Sequence, residues 1–271
     1  MTNPVLEGRG ASNPQGARST GPREEVHAFA SLDDPTPRSC VLAVEEGYEL
    51  WAPTYDSDPN PLLALEERMV GALLPGLTGK DVLDFACGTG RWLERLVRSG
   101  VRRAVAFDLS PAMLAVANAK PGIRQHLVRA HCTALPFRSG MADLVICSFA
   151  LSHVPDLRLL ARELASVTRP GADCYISDVH PAAHARGWRT GFRHAGRSVE
   201  IASFTRPVDQ VREAFASRGF ELKRLLESSL GEPERPIFVQ AGRGHLFDDA
   251  ARVWAVVVCH FRRAGSSIEA R

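Results

Sequence analysis

The stretch from Asp81 to Trp92 constrains the fold more than any other part of the sequence. An apolar run containing Asp84 leads into a loop with Gly88 and Gly90, and the residues after the loop have helical spacing. This order predicts a strand, a tight turn and a helix. The glycines leave room for a ligand against the backbone, and the helix start offers free N–H groups. We therefore predict a ligand-binding turn, with Asp84 placed either to fix the loop or to face a cationic ligand.

Two common glycine loops do not fit this stretch. A dinucleotide fingerprint needs a third glycine where the chain has Leu93, and a P-loop needs Gly-Lys-Ser/Thr. The stretch instead resembles motif I of the class I S-adenosylmethionine (SAM) dependent methyltransferases, in its form Asp-x-Ala-x-Gly-x-Gly. The resemblance implies SAM as the cofactor, with contacts from Asp84, Ala86, Gly88 and Gly90.

The next predicted strand, residues 101–108, ends in Asp108. In a doubly wound sheet, an acid at this position can accept hydrogen bonds from both ribose hydroxyls of a nucleotide. Capping the following helix, which opens at Ser110-Pro111, is the alternative role for this carboxylate. Together with the glycine loop, the strand favours a cofactor site that includes Asp108, Leu109 and Met113.

Residues 131–137 follow a short predicted strand over residues 123–130 and resemble the methyltransferase signature Asp-Ala-x-x-Leu-Pro-Phe. In that signature the acid accepts from the adenine amino group, and the next backbone N–H, here that of Cys132, meets the ring. His131 stands in the acid's place. Because a neutral imidazole can accept through one nitrogen, we expect His131 to accept from adenine and to lose that ability on protonation.

A buried fourth strand is predicted over residues 142–150, with Ser148 expected at the cofactor, and a helix over residues 157–167. Methyltransferases that act on nucleobase or amide nitrogens often carry Asn/Asp-Pro-Pro-aromatic at the end of this strand. The chain lacks this tetrapeptide. A fifth strand is predicted over residues 172–180.

Candidate catalytic residues follow these two neighbouring strands. An alcohol acceptor must lose its proton to take a methyl group, and the strand ends open on one crevice. His153 is the candidate base, oriented by Asp178 in a His-Asp dyad like that of natural-product sugar O-methyltransferases. Alternatively, His153 shapes its loop and Asp178 caps a turn. His180 is a third candidate, but nothing completes a metal ligand set around it and His184, so no metal site is predicted.

The N-terminal part of the chain divides in two. Residues 1–38 are rich in Gly, Pro, Ser and Arg and are expected to be disordered. Residues 47–56 resemble the aromatic segment that closes over SAM in small-molecule methyltransferases, which implies a cofactor contact from Tyr55. Trp51 either belongs to this cover or packs the N-terminal helix onto the sheet. Asn60-Pro61 opens an amphipathic helix.

The rest of the chain extends an α/β domain predicted over residues 39–244. Residues 181–206 predict a β-hairpin, our candidate lid over the substrate crevice. A helix over residues 207–217 and strands near residues 221–226 and 237–241 complete the expected fold, a Rossmann-like seven-stranded, mostly parallel sheet with helices on both faces. Residues 245–271 are predicted to form a C-terminal helical extension, which either packs on the core or forms a homodimer face.

Composition narrows the function further. Of the 271 residues, 45% are hydrophobic and 24% charged, and the formal net charge is +2, which argues against a nucleic-acid partner. Six scattered cysteines, together with the lack of a signal peptide or an apolar run of membrane-spanning length, predict a reduced cytoplasmic protein without membrane contact.

These features predict a SAM-dependent methyltransferase for a small molecule, with a hydroxyl of a secondary metabolite as the acceptor. An N- or carboxyl-methyltransferase and a non-catalytic SAM-binding protein are the alternatives. An RNA methyltransferase is disfavoured by the charge and the missing tetrapeptide.

Overall fold

The computed structural model describes residues 40–265, so the tail expected to be disordered (residues 1–38) lies outside the described residues. The strands are β1 Cys40–Leu42, β2 Asp81–Phe85, β3 Arg103–Asp108, β4 Leu127–Arg129, β5 Ala142–Ser148, β6 Thr168–Val179, β7 Gly191–His194, β8 Arg197–Ile201, β9 Phe220–Ser229 and β10 Trp254–Arg263. The helices are α1 Val44–Trp51, α2 Pro61–Gly71, α3 Arg91–Arg98, α4 Pro111–Ala119, α5 Leu157–Val167, α6 Pro181–Ala185, α7 Val208–Ala216, α8 Arg235–Gln240 and α9 Phe247–Ala250.

Seven strands form the main sheet in the order β4-β3-β2-β5-β6-β10-β9. The strands β2 to β6 pair in parallel, whereas β10 runs antiparallel to both β6 and β9. Every residue of β2 is buried, as expected for a central parallel strand covered by helices on both faces. The predicted seven-stranded, mostly parallel sheet is confirmed.

Two hydrophobic clusters form the core, one on each face of this sheet. Leu65 of α2 and Trp92 of α3 belong to one cluster, and Leu160 of α5 and Phe215 of α7 belong to the other. The carboxyl ends of β2, β3 and β5 therefore open along one edge, between helices that are anchored on both sides.

A second, smaller sheet packs against helix α1, and none of its strands lines the cavity at that edge, so the predicted lid role stays a prediction. The predicted hairpin is confirmed as β7 and β8, and β8 also pairs in parallel with β1. Trp51 packs under it, with its ring stacked on Phe192 at a centroid distance of 5.0 Å, and joins a cluster with Val199 and Ile201. Trp51 therefore has the packing role that the sequence left as an alternative.

The predicted C-terminal helix is wrong, because residues 254–263 form strand β10. The spacing of apolar residues suited a helix, but residues 255–259 are all buried, and this continuous burial fits a strand between two others better than one helical stripe. The strand predicted near residues 237–241 is also wrong. That segment belongs to α8, which has proline in its first turn.

Candidate cofactor and acceptor site

A cavity of about 330 Å³ lies at the carboxyl ends of β2, β3 and β5. Its volume is in the range of small-molecule sites. The predicted site residues that line it are Tyr55, Asp84, Ala86, Gly88, Asp108, Leu109, Met113, His131, Cys132, Ser148 and His153. Gly90, Asp178 and His180 are not among the lining residues.

Both glycines of the loop, Gly88 and Gly90, have a left-handed backbone. Gly88 has φ 55°, and a Cβ built there meets no atom within 4 Å, so the cavity beside it is open. Gly90 has φ 82° and a different role, because a Cβ there would lie 2.7 Å from Ile123 Cδ1. The loop thus leaves space for a ligand at Gly88, whereas Gly90 allows close packing at the start of α3.

Asp108 holds this loop in place from the end of β3. Its Oδ2 accepts a hydrogen bond from the Gly88 N–H at 2.7 Å, and its Oδ1 accepts one from the Ser110 N–H at 2.9 Å. Burial raises the pKa of Asp108 above its ordinary value, while these N–H groups oppose the rise. Each carboxylate oxygen can accept a further bond, so the side chain can fix the loop and still accept from ribose hydroxyls.

Asp84 carries a buried carboxylate with unmet bonding capacity. Within residues 40–265, its Oδ2 is buried and has no hydrogen-bond partner. Burial raises the pKa of Asp84 to about 7. A buried oxygen without a partner is costly unless a ligand supplies one, and the cationic groups of SAM could do so.

A buried network that the sequence did not reveal supports the floor of the cavity. Glu66 of α2 is fully buried and accepts from Arg91 Nη2 at 2.7 Å, Trp92 Nε1 at 3.2 Å and Ser177 Oγ at 2.8 Å. Arg91 Nη2 also donates to Ser148 Oγ at 2.9 Å. The sequence of α2 has the pattern of an ordinary amphipathic helix. It therefore does not show that the Glu66 side chain points into the core.

The ring of His131 is oriented by Thr133. Its Nδ1 lies 3.2 Å from the Thr133 backbone nitrogen and 2.8 Å from Thr133 Oγ1. A backbone N–H can only donate, so Nδ1 accepts and Nε2 carries the proton in the neutral ring. The accepting nitrogen is therefore already engaged by Thr133, and an acceptor role toward adenine stays a prediction that this orientation does not favour.

His153 and Tyr48 form a hydrogen-bonded pair in the cavity. The His153 Nδ1 lies 3.1 Å from the Ala202 carbonyl oxygen, which can only accept, so Nδ1 carries the proton. Nε2 is then an acceptor for the Tyr48 hydroxyl at 2.9 Å. Burial lowers the pKa of His153 to about 4 and raises that of Tyr48 well above its ordinary value. Both side chains are therefore neutral at physiological pH.

The predicted dyad between His153 and Asp178 is not formed. Asp178 accepts from the Ser152 N–H at 2.6 Å and from the Val179 N–H at 2.7 Å, while the Tyr48 hydroxyl and the Ala202 carbonyl occupy both ring nitrogens of His153. Asp178 therefore braces the turn that carries His153, which is the alternative role left open by the sequence.

His180 also lies apart from the cavity. Its Nδ1 accepts from the Ala182 N–H at 3.0 Å, and its Nε2 donates to Glu227 Oε1 at 2.8 Å. It caps α6 and ties that helix to β9. In the described part of the chain, no group of three or more His, Cys, Asp or Glu side chains is arranged to hold a metal ion.

Comparison with known proteins agrees with this site. Residues 82–171 match the family described as methyltransferase domain. The chain is 31% identical to a ubiquinone biosynthesis O-methyltransferase of Cupriavidus pinatubonensis, over 56% of this chain and 64% of that protein. It is 28% identical to a 2-phytyl-1,4-naphtoquinone methyltransferase of Synechococcus elongatus, over 70% of this chain and 93% of that protein.

A solved S-adenosylmethionine dependent methyltransferase from Mesorhizobium loti has the same fold, with a TM-score of 0.59 and 23% identity over 74% of this chain and all (100%) of that one. The match spans 64%, 61% and 57% of the length of three ubiquinone biosynthesis O-methyltransferases. The fold, the glycine loop and these similarities agree with the class I SAM-dependent methyltransferase domain that the sequence predicts.

Proposed function

We propose that the protein transfers the methyl group of SAM to a hydroxyl of a small molecule. The observation that carries this proposal is the Tyr48–His153 pair, which lines the same cavity as the glycine loop and Asp108. An alcohol needs a proton acceptor beside the cofactor, whereas an amine or a carboxylate needs only positioning. The relatives named above include ubiquinone biosynthesis O-methyltransferases, which supports oxygen as the acceptor atom.

The chain's own residues supply the proton path. When bound, SAM provides an activated methyl group on its sulfonium. The acceptor hydroxyl donates to the Tyr48 oxygen, whose own hydrogen already points at His153 Nε2. When the acceptor oxygen takes the methyl group, the S–CH₃ bond would break and leave a neutral thioether, the acceptor proton would pass to Tyr48, and the Tyr48 proton would pass to Nε2. The Ala202 carbonyl holds the Nδ1 proton and so keeps the ring in the tautomer that can accept.

The shape of the site favours a small acceptor over a nucleic acid. Helix α1 forms part of the cavity wall through Val44, Glu45 and Tyr48, and the net charge of the chain is only +2. A polynucleotide would need an open, basic surface.

No helix among residues 40–265 is long and apolar enough to cross a membrane. We also propose a cytoplasmic location, where the six cysteines, all free thiols in the structure, would stay reduced.

The test is mass spectrometry of host metabolites incubated with the enzyme and SAM. We expect a product heavier by one methylene, with the new methyl on oxygen. A methyl group found on nitrogen or on a carboxylate would redirect the proposal to the corresponding acceptor class. Binding of SAM without any methylated product would favour a non-catalytic SAM-binding protein.

A further inference from the structure

The ring of His131 is fixed by a short turn. The Ala134 N–H donates to the His131 carbonyl at 3.0 Å, which closes the turn and places the Thr133 N–H against Nδ1 at 3.2 Å. The Thr133 hydroxyl contacts the same nitrogen at 2.8 Å. In the neutral ring, therefore, Nε2 is protonated and can only donate.

The donor at Nε2 is available to a ligand. Within residues 40–265, Nε2 of His131 makes no hydrogen bond, and the residue lines the cavity together with Ala130 and Cys132. An acid at this position could only accept. With His131 in place of an acid, this wall of the cavity offers a hydrogen-bond donor instead of an acceptor.

We propose that His131 reads the purine of the cofactor as a donor, through Nε2–H, to an acceptor atom on the purine edge. This inference rests on the proposed binding of SAM in the cavity. An exocyclic amino group is a donor and cannot pair with Nε2–H, whereas a ring nitrogen or a 6-oxo oxygen can accept from it. The site should therefore discriminate weakly between a 6-amino and a 6-oxo purine, in contrast to a site with an acid at position 131.

The test measures dissociation constants by titration calorimetry for two ligands, S-adenosylhomocysteine and S-inosylhomocysteine, which differ at the 6-position and at N1. The wild-type protein and the variant His131→Asp are compared through the ratio of the two constants. We expect His131→Asp to shift this ratio by at least about tenfold in favour of the adenosyl ligand, the size of one mispaired polar contact. His194→Asp, on the exposed hairpin, is the matched control and should leave the ratio unchanged.

An unchanged ratio in His131→Asp, or a shift toward the inosyl ligand, would overturn the proposal. A wild-type protein that binds neither ligand would refute the cofactor site itself, and the inference with it. If His131→Asp does not fold, ¹⁵N NMR of the wild-type imidazole decides. A protonated Nε2 with an unprotonated Nδ1 supports the donor role, and the opposite tautomer contradicts it.

Discussion

Asp84 and His153 show how burial sets the chemistry of single residues in this cavity. Both are shifted toward their neutral forms, because desolvation disfavours charge. A cationic ligand beside Asp84 would favour the ionised carboxylate over the neutral form. The neutral form of His153 is the one that proton acceptance requires. The two residues therefore predict different responses to pH.

Binding of SAM should release protons from Asp84. With a pKa of about 7, about half of Asp84 is protonated at pH 7 in the cofactor-free protein. A cationic group of SAM beside the carboxylate favours the ionised form and lowers this pKa. Affinity for SAM should then fall as the pH decreases from about 8 to about 6, since protons compete with the ligand.

Titration calorimetry in two buffers with different ionisation enthalpies measures this release. We expect up to about half a proton per SAM at pH 7 and a smaller value in Asp84→Asn. Equal release by the wild-type protein and by Asp84→Asn would place the cationic groups of the cofactor away from this residue.

Removal of the Tyr48 hydroxyl or of the His153 imidazole should slow methyl transfer to an alcohol. For Tyr48→Phe and His153→Ala we expect kcat to fall by roughly 10² to 10⁴, with nearly unchanged SAM affinity. The double variant should be little worse than the poorer single variant, because the two groups form one proton relay. Tyr175→Phe is the matched control, since its hydroxyl donates to the Leu73 carbonyl away from the cavity.

The pH profile provides a second check on this pair. Because burial lowers the pKa of His153 to about 4, the ring remains a base down to about that pH, and kcat should not fall near pH 6.5 as with an ordinary histidine. Wild-type rates in both single variants would show that the pair is structural, and an amine or carboxylate acceptor would then be favoured.

At the scale of elements, α1 and β8 make a close contact beside the cavity. A Cβ built on Gly47 of α1 would lie 2.7 Å from Ile201 Cγ1. This carbon is close to the backbone of β8 and cannot rotate away easily. Helix α1 also carries Tyr48, so its packing on β8 sets the position of the hydroxyl that we propose as the first proton acceptor.

Gly47→Ala should therefore destabilise the protein by about 1 to 3 kcal/mol, as overpacking does, and raise KM for the acceptor. Denaturant unfolding measures the loss. Gly71→Ala is the control, because a Cβ there meets nothing within 4 Å and the helix should tolerate or gain from alanine. If Gly47→Ala is as stable as Gly71→Ala, α1 is not held by this contact.

The elements also show where sequence reasoning succeeds and where it fails. Strand β2, its glycine loop and α3 were predictable because the periodicity, the turn residues and the helix start agree with one another. Strand β10 was not, since an apolar run fits either a helix or a buried strand until its neighbours are known.

The sequence likewise does not reveal which ring nitrogen of a histidine carries the proton. The sequence placed His131 and His153 at the cavity, but the backbone partners that fix their tautomers come from Thr133 and Ala202.

At the scale of the whole molecule, the fold brings two groups of side chains to one cavity. The carboxyl ends of β2 and β3 present the glycine loop and Asp108 on one side. On the other side, the segment after β5 carries His153 and helix α1 carries Tyr48. We assign the first side to SAM and the second to the acceptor hydroxyl. Variants on the first side should weaken SAM binding, whereas variants on the second side should slow methyl transfer.

The most direct measurement of this claim is transfer of a trideuteromethyl group from labelled SAM to the acceptor found among host metabolites. Wild-type protein should place the label on the acceptor oxygen. Asp108→Ala should weaken SAM binding by about 2 to 4 kcal/mol but recover its rate at saturating SAM, whereas His153→Ala should stay slow at saturation. Wild-type protein that binds SAM but transfers no label, or variants that both recover at saturating SAM, would contradict the account.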